Sequence, residues 1–267
     1  MLRICIFGAA GRMGQTIAAE CLSGYAGKIK IVSGVDAPNS PGVGKTFADG
    51  AKIFSSNEID KALKEVDCTL NFTAPEAEVQ NVPKIVALGK NIVVGTTGLT
   101  EEQIKTIRQT IEKSKVAAVI SPNFSPLVNA QMLLTRRASE ILAPLGYDFA
   151  IVEEHHTGKK DAPSGTAKKL AQLISNSTNS APKKLVFRQE GLKAKERGEL
   201  DMAALRLGGS AGQHEVRIVG PAGRLTIESL MYSRADFAKG AIESALWLQK
   251  NAKAGKIFSM EDILNLK

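Results

Sequence analysis

Apolar positions in the first half of the chain fall into short continuous runs, separated by stretches where they recur every three or four residues. The runs Leu2–Phe7, Ile29–Val35, Val66–Asn71, Ile92–Val94 and Val116–Ile120 predict strands buried on both faces. Between most of them, Arg12–Leu22, Glu76–Leu88 and Glu101–Lys113 carry the helical period. Thr100-Glu-Glu-Gln103 opens the last of these as a capping box, in which threonine and glutamine satisfy free backbone donors of the first turn. Strands alternating with helices of this length predict an α/β fold, a doubly wound parallel sheet with helices on both faces.

The rhythm changes after Asn123-Phe-Ser-Pro126. Pro126–Leu142 reads as a helix with Leu127, Ala130, Leu133 and Leu134 at helical spacing, followed by a strand that ends in Ile151-Val-Glu-Glu154. A polar loop runs to Pro163, and a helix extends from Ser164 to about Ile174. From Lys184 to Tyr232 at least three strands are separated by Gly208-Gly209 and Gly220-Pro-Ala-Gly223, which predicts a second α+β domain with a mixed sheet. Ala235–Gln249 returns to a helix long enough to pack on the first domain. The expected organisation is residues 1–124 with 235–267 as one domain and 125–234 as the other.

Composition narrows the function classes. Of 267 residues 43% are hydrophobic, so wholesale disorder is excluded. No apolar stretch reaches membrane-spanning length, and no membrane partner is expected. The N-terminal apolar run is only strand-sized and meets glycines and Arg12, which favours a buried strand over a signal peptide. Three cysteines without a C-x-x-C pair fit a reducing cytoplasm and give no metal cage. The net charge of +8 admits nucleic acid or an anionic small molecule. Aromatics make up only 5% and do not interleave with the basic residues, so no nucleic-acid partner is expected.

Gly8-Ala9-Ala10-Gly11-Arg12-Met13-Gly14 lies between the first strand and the first helix. Glycines there let the backbone approach a pyrophosphate, and the helix N-terminus supplies donors and partial positive charge. Asp36 ends the second strand about 20 residues on, where a carboxylate accepts from an adenosine ribose. The first domain is therefore expected to be Rossmann-type. Gly95-Thr96-Thr97-Gly98 and Ser121-Pro122-Asn123-Phe124 also follow strands, so they border the same crevice.

The densest polar segment is Glu153-Glu-His-His-Thr-Gly-Lys-Lys-Asp-Ala-Pro-Ser-Gly-Thr166. Two of the chain's three histidines, His155 and His156, are neighbours here, and a histidine can deliver a proton near neutral pH. Ser164-Gly165-Thr166 opens a helix whose N–H groups suit a carboxylate. Glu153, Glu154, His155 and His156 as metal ligands is the competing reading. The adjacent spacing and the nearby Lys159 and Lys160 weigh against it, and no metal is expected.

These segments together resemble the dihydrodipicolinate reductase family. The residues that carry the likeness are Gly8–Gly14, Asn71-Phe-Thr-Ala-Pro75, Val94–Gly98, Asn123-Phe-Ser125 and above all Glu154-His-His-Thr-Gly-Lys159 with Asp161-Ala-Pro-Ser-Gly-Thr-Ala167. Gly212-Gln-His214, Ser233-Arg234 and Gly240–Trp247 extend it. The resemblance implies a hydride transfer from NADH or NADPH to a small cyclic dicarboxylate in lysine and diaminopimelate synthesis. It assigns His155 as proton donor and Lys159 as second catalytic group, with His156, Gly165 and Thr166 on the substrate's carboxylates. Gly8 to Met13, Asp36, Gly95 to Thr97 and Ser121 to Phe124 take the dinucleotide, and family members are typically homotetramers built through the second sheet. Two departures stand out. Relatives often place arginine after the acidic residue to receive the 2′-phosphate of NADP, whereas Ala37-Pro38 follow Asp36 here, leaving Arg12 or Lys45 to supply that charge and favouring NADH. Pro122 also removes a backbone donor from the cofactor loop. A nucleotide sensor without turnover and a dehydrogenase of another small acid are the competing functions.

Overall fold

The apolar run at Leu2–Phe7 forms β1, in which every residue but Arg3 is buried. Ile4 and Ile6 point to one face of the sheet and Cys5 and Phe7 to the other, each into its own apolar cluster. The computed structural model describes residues 1–187 and 194–266. From β1 the chain continues through α1 (Arg12–Gly24), β2 (Ile29–Asp36), β3 (Lys52–Ser55), α2 (Ile59–Ala62), β4 (Cys68–Asn71), α3 (Pro75–Ala87), β5 (Asn91–Val94), α4 (Glu101–Glu112) and β6 (Ala118–Ile120). It then runs through α5 (Pro126–Leu142), β7 (Asp148–His155), α6 (Gly165–Ser177), β8 (Lys184–Val186), β9 (Glu199–Arg206), β10 (Gln213–Val219) and β11 (Arg224–Leu230). It closes with α7 (Ala235–Asn251), β12 (Ile257–Phe258) and α8 (Met260–Ile263).

These elements make two units, Met1–Pro126 with Arg234–Lys267, and Leu127–Ser233. In the first, seven parallel strands are ordered β12-β6-β5-β4-β1-β2-β3. The order reverses between β1 and β4, the switch point that opens a ligand crevice at the strands' carboxyl ends. Residues of α1 and α7 cover one face, and those of α3 and α4 the other. The doubly wound sheet is thus the expected one. The capping box at Thr100 and Gln103 is formed. Two short strands had no signal: β3 is half-exposed, and β12 is two residues paired only at the edge. The predicted third and fifth strands start two residues later than expected, at Cys68 and Ala118. All three cysteines are free and buried, and burial pushes the Cys5 and Cys21 thiols up to about 12, which keeps them protonated.

The second unit has a five-stranded sheet ordered β11-β10-β7-β9-β8. β10 runs antiparallel to β7 and β11, while β9 runs parallel to β7 and β8, so the sheet is mixed as expected. Phe149 and Ile151 of β7, Leu200 and Met202 of β9, and Val216 and Ile218 of β10 form its core with Leu170 and Ile174 of α6.

Close approach fixes α7 in the first unit. A Cβ added at Gly240 would lie 1.7 Å from the Phe124 carbonyl oxygen, so this helix rests directly on the loop after β6. Ser125 Oγ donates to the Asp236 carboxylate at the same place. We expect Gly240→Ala to force the helix off that loop and to cost about 3 kcal/mol, the upper end for overpacking. Urea unfolding measures this, and an unchanged midpoint would mean that the contact yields easily.

Candidate active site

Gly8 takes a φ of +79° and turns the chain out of β1, with the Phe72 carbonyl oxygen 2.3 Å from where a Cβ would stand. Only glycine fits there. Gly11 N–H closes the turn onto the Gly8 carbonyl at 2.9 Å, and Gly11 caps α1 without a side chain. Ala9 is buried beneath the turn, whereas Ala10, Gly11 and Arg12 are exposed and Met13 is half-buried. Asp36 at the end of β2 holds this loop in place. Its Oδ2 accepts from Ala10 N–H and its Oδ1 from Ala37 N–H, each at 2.8 Å. The cradle a side chain would fill, an uncapped helix N-terminus and an adjacent acid fit a dinucleotide.

The other two predicted loops lie on the same sheet edge. Gly95 presses on the Phe72 ring, where a Cβ would come 2.2 Å from Cε1, and Phe72 meets Phe124 edge-on with ring centres 5.8 Å apart. Thr97 is exposed, as is Pro122. Ser121 Oγ donates to the Asn123 carbonyl at 2.7 Å and accepts from Asn123 N–H, which folds that loop on itself.

Thr96 is tied down by its side chain. It is buried, and its Oγ1 donates to Glu78 Oε2 at 2.6 Å. Thr73 Oγ1 and Asn71 Nδ2 donate to the same carboxyl at 2.8 and 2.9 Å. Glu78, with no exposed surface, thereby joins the loops after β4 and β5. Its partners are neutral, and burial raises its carboxyl above the ordinary range despite those hydrogen bonds.

In the second unit the period of two along β7 carries the stripe Phe149, Ile151, Glu153, His155 to the covered face. The strand's last two inward positions are therefore polar. Register brings His214 of β10 opposite Glu153, and Arg206 of β9 beside His155. Glu153 is fully buried. Its Oε1 accepts from Ser164 N–H at 3.0 Å and from Arg206 Nη2 at 3.2 Å. His155 Nδ1 lies 3.2 Å from its Oε2 and His214 Nε2 3.7 Å from it. Burial works to raise this carboxyl, but contacts from His155 and Ser164 outweigh it and hold the group down at about 2. Burial and the neighbouring His155 lower His214 to about 4, so it is neutral near pH 7.

The loop that follows is pinned from β9. Arg206 Nε reaches the Lys159 carbonyl at 3.4 Å, and its Nη2 donates to the Asp161 carbonyl. Lys159 Nζ sits 2.8 Å from Asp161 Oδ1, and His156 is half-buried. Ser164 caps α6, its Oγ accepting from Ala167 N–H at 3.2 Å and lying 3.0 Å from His214 Nε2. Gly165 and Thr166 take the first two helical positions, and Gly165 is exposed. Glu153, His155 and His214 offer atoms within 4.8 Å of one another, near enough to share an ion. The guanidinium of Arg206 on the same carboxylate supplies positive charge there instead.

Comparison with known proteins places this geometry in context. The family model for the dihydrodipicolinate reductase N-terminus matches residues 2–124, and the model for its C-terminus matches residues 128–264. The chain belongs to the dihydrodipicolinate reductase family. Among its relatives, the 4-hydroxy-tetrahydrodipicolinate reductase of Methanosarcina acetivorans is 37% identical over 272 residues, covering all of both chains. That of Syntrophotalea carbinolica is 33% identical over 274 residues, again end to end. The solved structure of a dipicolinate-bound dihydrodipicolinate reductase from Paenisporosarcina sp. TG-14 shares the fold with a TM-score of 0.79. It is 24% identical and covers 98% of this chain and 99% of its own.

Within this family member, sequence reasoning missed Glu78 and Arg206 and had no role for His214. The local signals were faint: one acid on a helix, one arginine at a strand end. Their partners lie on other strands. Glu78 generates a test. Its folded pKa is above the ordinary 4.5, so the folded state binds more protons and loses stability as pH rises through the folded value. We expect Glu78→Gln, which cannot ionise, to gain stability relative to the parent between about pH 5 and about pH 8. Urea titrations at the two pH values read the difference, and an equal effect at both would contradict the raised carboxyl.

Proposed function

We propose that this chain is a reductase that uses NADH or NADPH on the cyclic dicarboxylate 4-hydroxy-tetrahydrodipicolinate (dihydrodipicolinate), forming tetrahydrodipicolinate for lysine and diaminopimelate synthesis in the cytoplasm. The observation that carries this is His155, a nearly buried imidazole set among acid, arginine and helix cap, in a chain similar end to end to curated reductases. When bound, the nicotinamide supplies the hydride. Once the 4-hydroxyl has left as water, the electron density that the hydride leaves on the conjugated ring requires a proton, and His155 donates it. Lys159 and His156 contribute positive charge and hydrogen bonds to the substrate's carboxylates. Gly165 and Thr166 offer the N-terminal turn of α6, where backbone N–H groups and the helix dipole favour an anion. Of the donors at that turn, Ser164 N–H goes to Glu153 and Ala167 N–H to Ser164 Oγ.

The dinucleotide is held by Gly8 to Met13, Asp36, Gly95 to Thr97 and Ser121 to Phe124. NADH is favoured, because Asp36 repels a 2′-phosphate and Ala37 and Pro38 offer no compensating cation. Copies of the chain associate as a homotetramer through the outer face of the second sheet. Val152 lies half-buried on that face, and Leu205, Val219 and Leu230 stand 41–43% exposed, more apolar surface than solvent contact alone accounts for.

His155→Ala is expected to lower kcat by about 10²–10⁴-fold with little change in the KM for NADH, the usual worth of a positioned general acid. Oxidation of NADH followed with freshly generated substrate measures this, and parent-like turnover would remove His155 from the mechanism. In the parent, kcat/KM should favour NADH by about 5–30-fold, and Ala37→Arg should move preference toward NADPH. A parent that clearly prefers NADPH would overturn the Asp36 argument.

A further inference from the structure

A carboxylate with no exposed surface needs a reason to be there. We infer that Glu153 is the positioning residue of the proton donor: its Oε2 turns Nδ1 of His155 inward and sustains the imidazolium, so that the proton leaves from Nε2. The inference rests on the reductase reading for its catalytic consequence, but the Glu153–His155 coupling is a property of this chain alone.

The two oxygens of Glu153 are used differently. Oε1 takes the Ser164 N–H and the Arg206 guanidinium, at 3.0 and 3.2 Å. Oε2 is buried and makes no aligned hydrogen bond among the described residues, yet His155 Nδ1 is 3.2 Å away and His214 Nε2 3.7 Å. One of these rings carries the proton that Oε2 attracts. His214 is the wrong one: burial and its neighbour keep it neutral, and its Nε2 already meets Ser164 Oγ at 3.0 Å. That leaves His155 as the ring facing Oε2, and it meets His214 edge-on with centres 5.1 Å apart.

The opposite side of the ring meets Gly212. A Cβ at Gly212, where φ is +134°, would come 3.2 Å from Nε2 and 3.4 Å from Cδ2 of His155. A side chain at 212 would crowd that edge. The groups facing His155 are Glu153 on its own strand, Arg206 on β9, His214 on β10, and Lys159 with Asp161 in the following loop, beside the positive end of α6. Arg206, Lys159 and the helix end are all positive. Asp161 is spent on Lys159, which leaves Glu153 as the group opposing them. Through Ser164 the same carboxylate is joined to the cap of the helix that carries Gly165 and Thr166, so donor and anchor share one support.

Glu153→Gln tests this, since the amide keeps the shape and loses the charge. The alkaline limb of kcat, where the acid loses its proton, is expected to move to lower pH by about 1–3 units, with the KM for NADH unchanged. A merely structural carboxylate would lower the rate equally at every pH, and an unmoved limb overturns the inference. The second readout needs neither substrate nor cofactor. With three histidines in the chain, ¹⁵N imidazole spectra resolve each ring. His155 should titrate at lower pH in the variant than in the parent, and identical titrations would refute the coupling. If the variant does not fold, the parent alone decides: neutral His155 must hold its proton on Nδ1, and the Nε2–H tautomer overturns the assignment. Parent-like activity in His155→Ala would instead refute the reductase mechanism while these spectra still report the coupling.

Discussion

A carboxylate taken out of water must find partners, and Glu78 and Glu153, neither with exposed surface, impose that demand on one end of each sheet. The two answers differ. Glu78 is surrounded by hydroxyls and an amide from Thr96, Thr73 and Asn71, and its carboxyl is pushed up. Glu153 meets a guanidinium, a backbone N–H and two imidazoles, and its carboxyl is held down at about 2. At Glu78 burial outweighs the neutral donors, whereas at Glu153 the contacts from His155 and Ser164 outweigh burial. One glutamate ties together two loops at the edge of the parallel sheet, and the other organises a charged cluster around His155.

Each arrangement follows from the sheet it belongs to. In the parallel sheet all strands end at one edge, so Gly8, Phe72, Gly95 and Phe124 meet there although they come from four different loops. Phe72 joins them: its carbonyl excludes a side chain at Gly8, and its ring excludes one at Gly95. In the mixed sheet the inner face runs from apolar to polar along β7, and the change comes at Glu153. The last inward positions of three adjacent strands then supply Glu153 with His155, Arg206 and His214. The two clusters are thus supported by two separate frameworks, each fixed by the packing of its own sheet.

Much of the fold was legible in the chain. Continuous apolar runs and intervening helical periods specify a doubly wound sheet because a strand covered on both faces can have no polar side. The capping box at Thr100, the glycines after β1 and the cap at Ser164 are local chemistry, readable within a few residues. β3 and β12 were not legible, since edge strands of four and two residues bury too little to leave a period.

For the site, His155, Lys159, Gly165 and Thr166 could be named in advance because they fall in one short segment whose spacing is itself the signal. Asp36 was likewise placed by its distance from the glycine loop, although its tie to the Ala10 and Ala37 amides was not foreseen. The chain by itself thus marked which residues are candidates for chemistry. Tertiary structure alone decided which groups govern them. Arg206 and His214 reach Glu153 through strand register, and Glu78 reaches Thr96 through the adjacency of β4 and β5. Register and strand order depend on packing summed over whole sheets, so no local pattern encodes them. The charge state of a buried acid depends on those neighbours, and it is settled only once the sheets have formed.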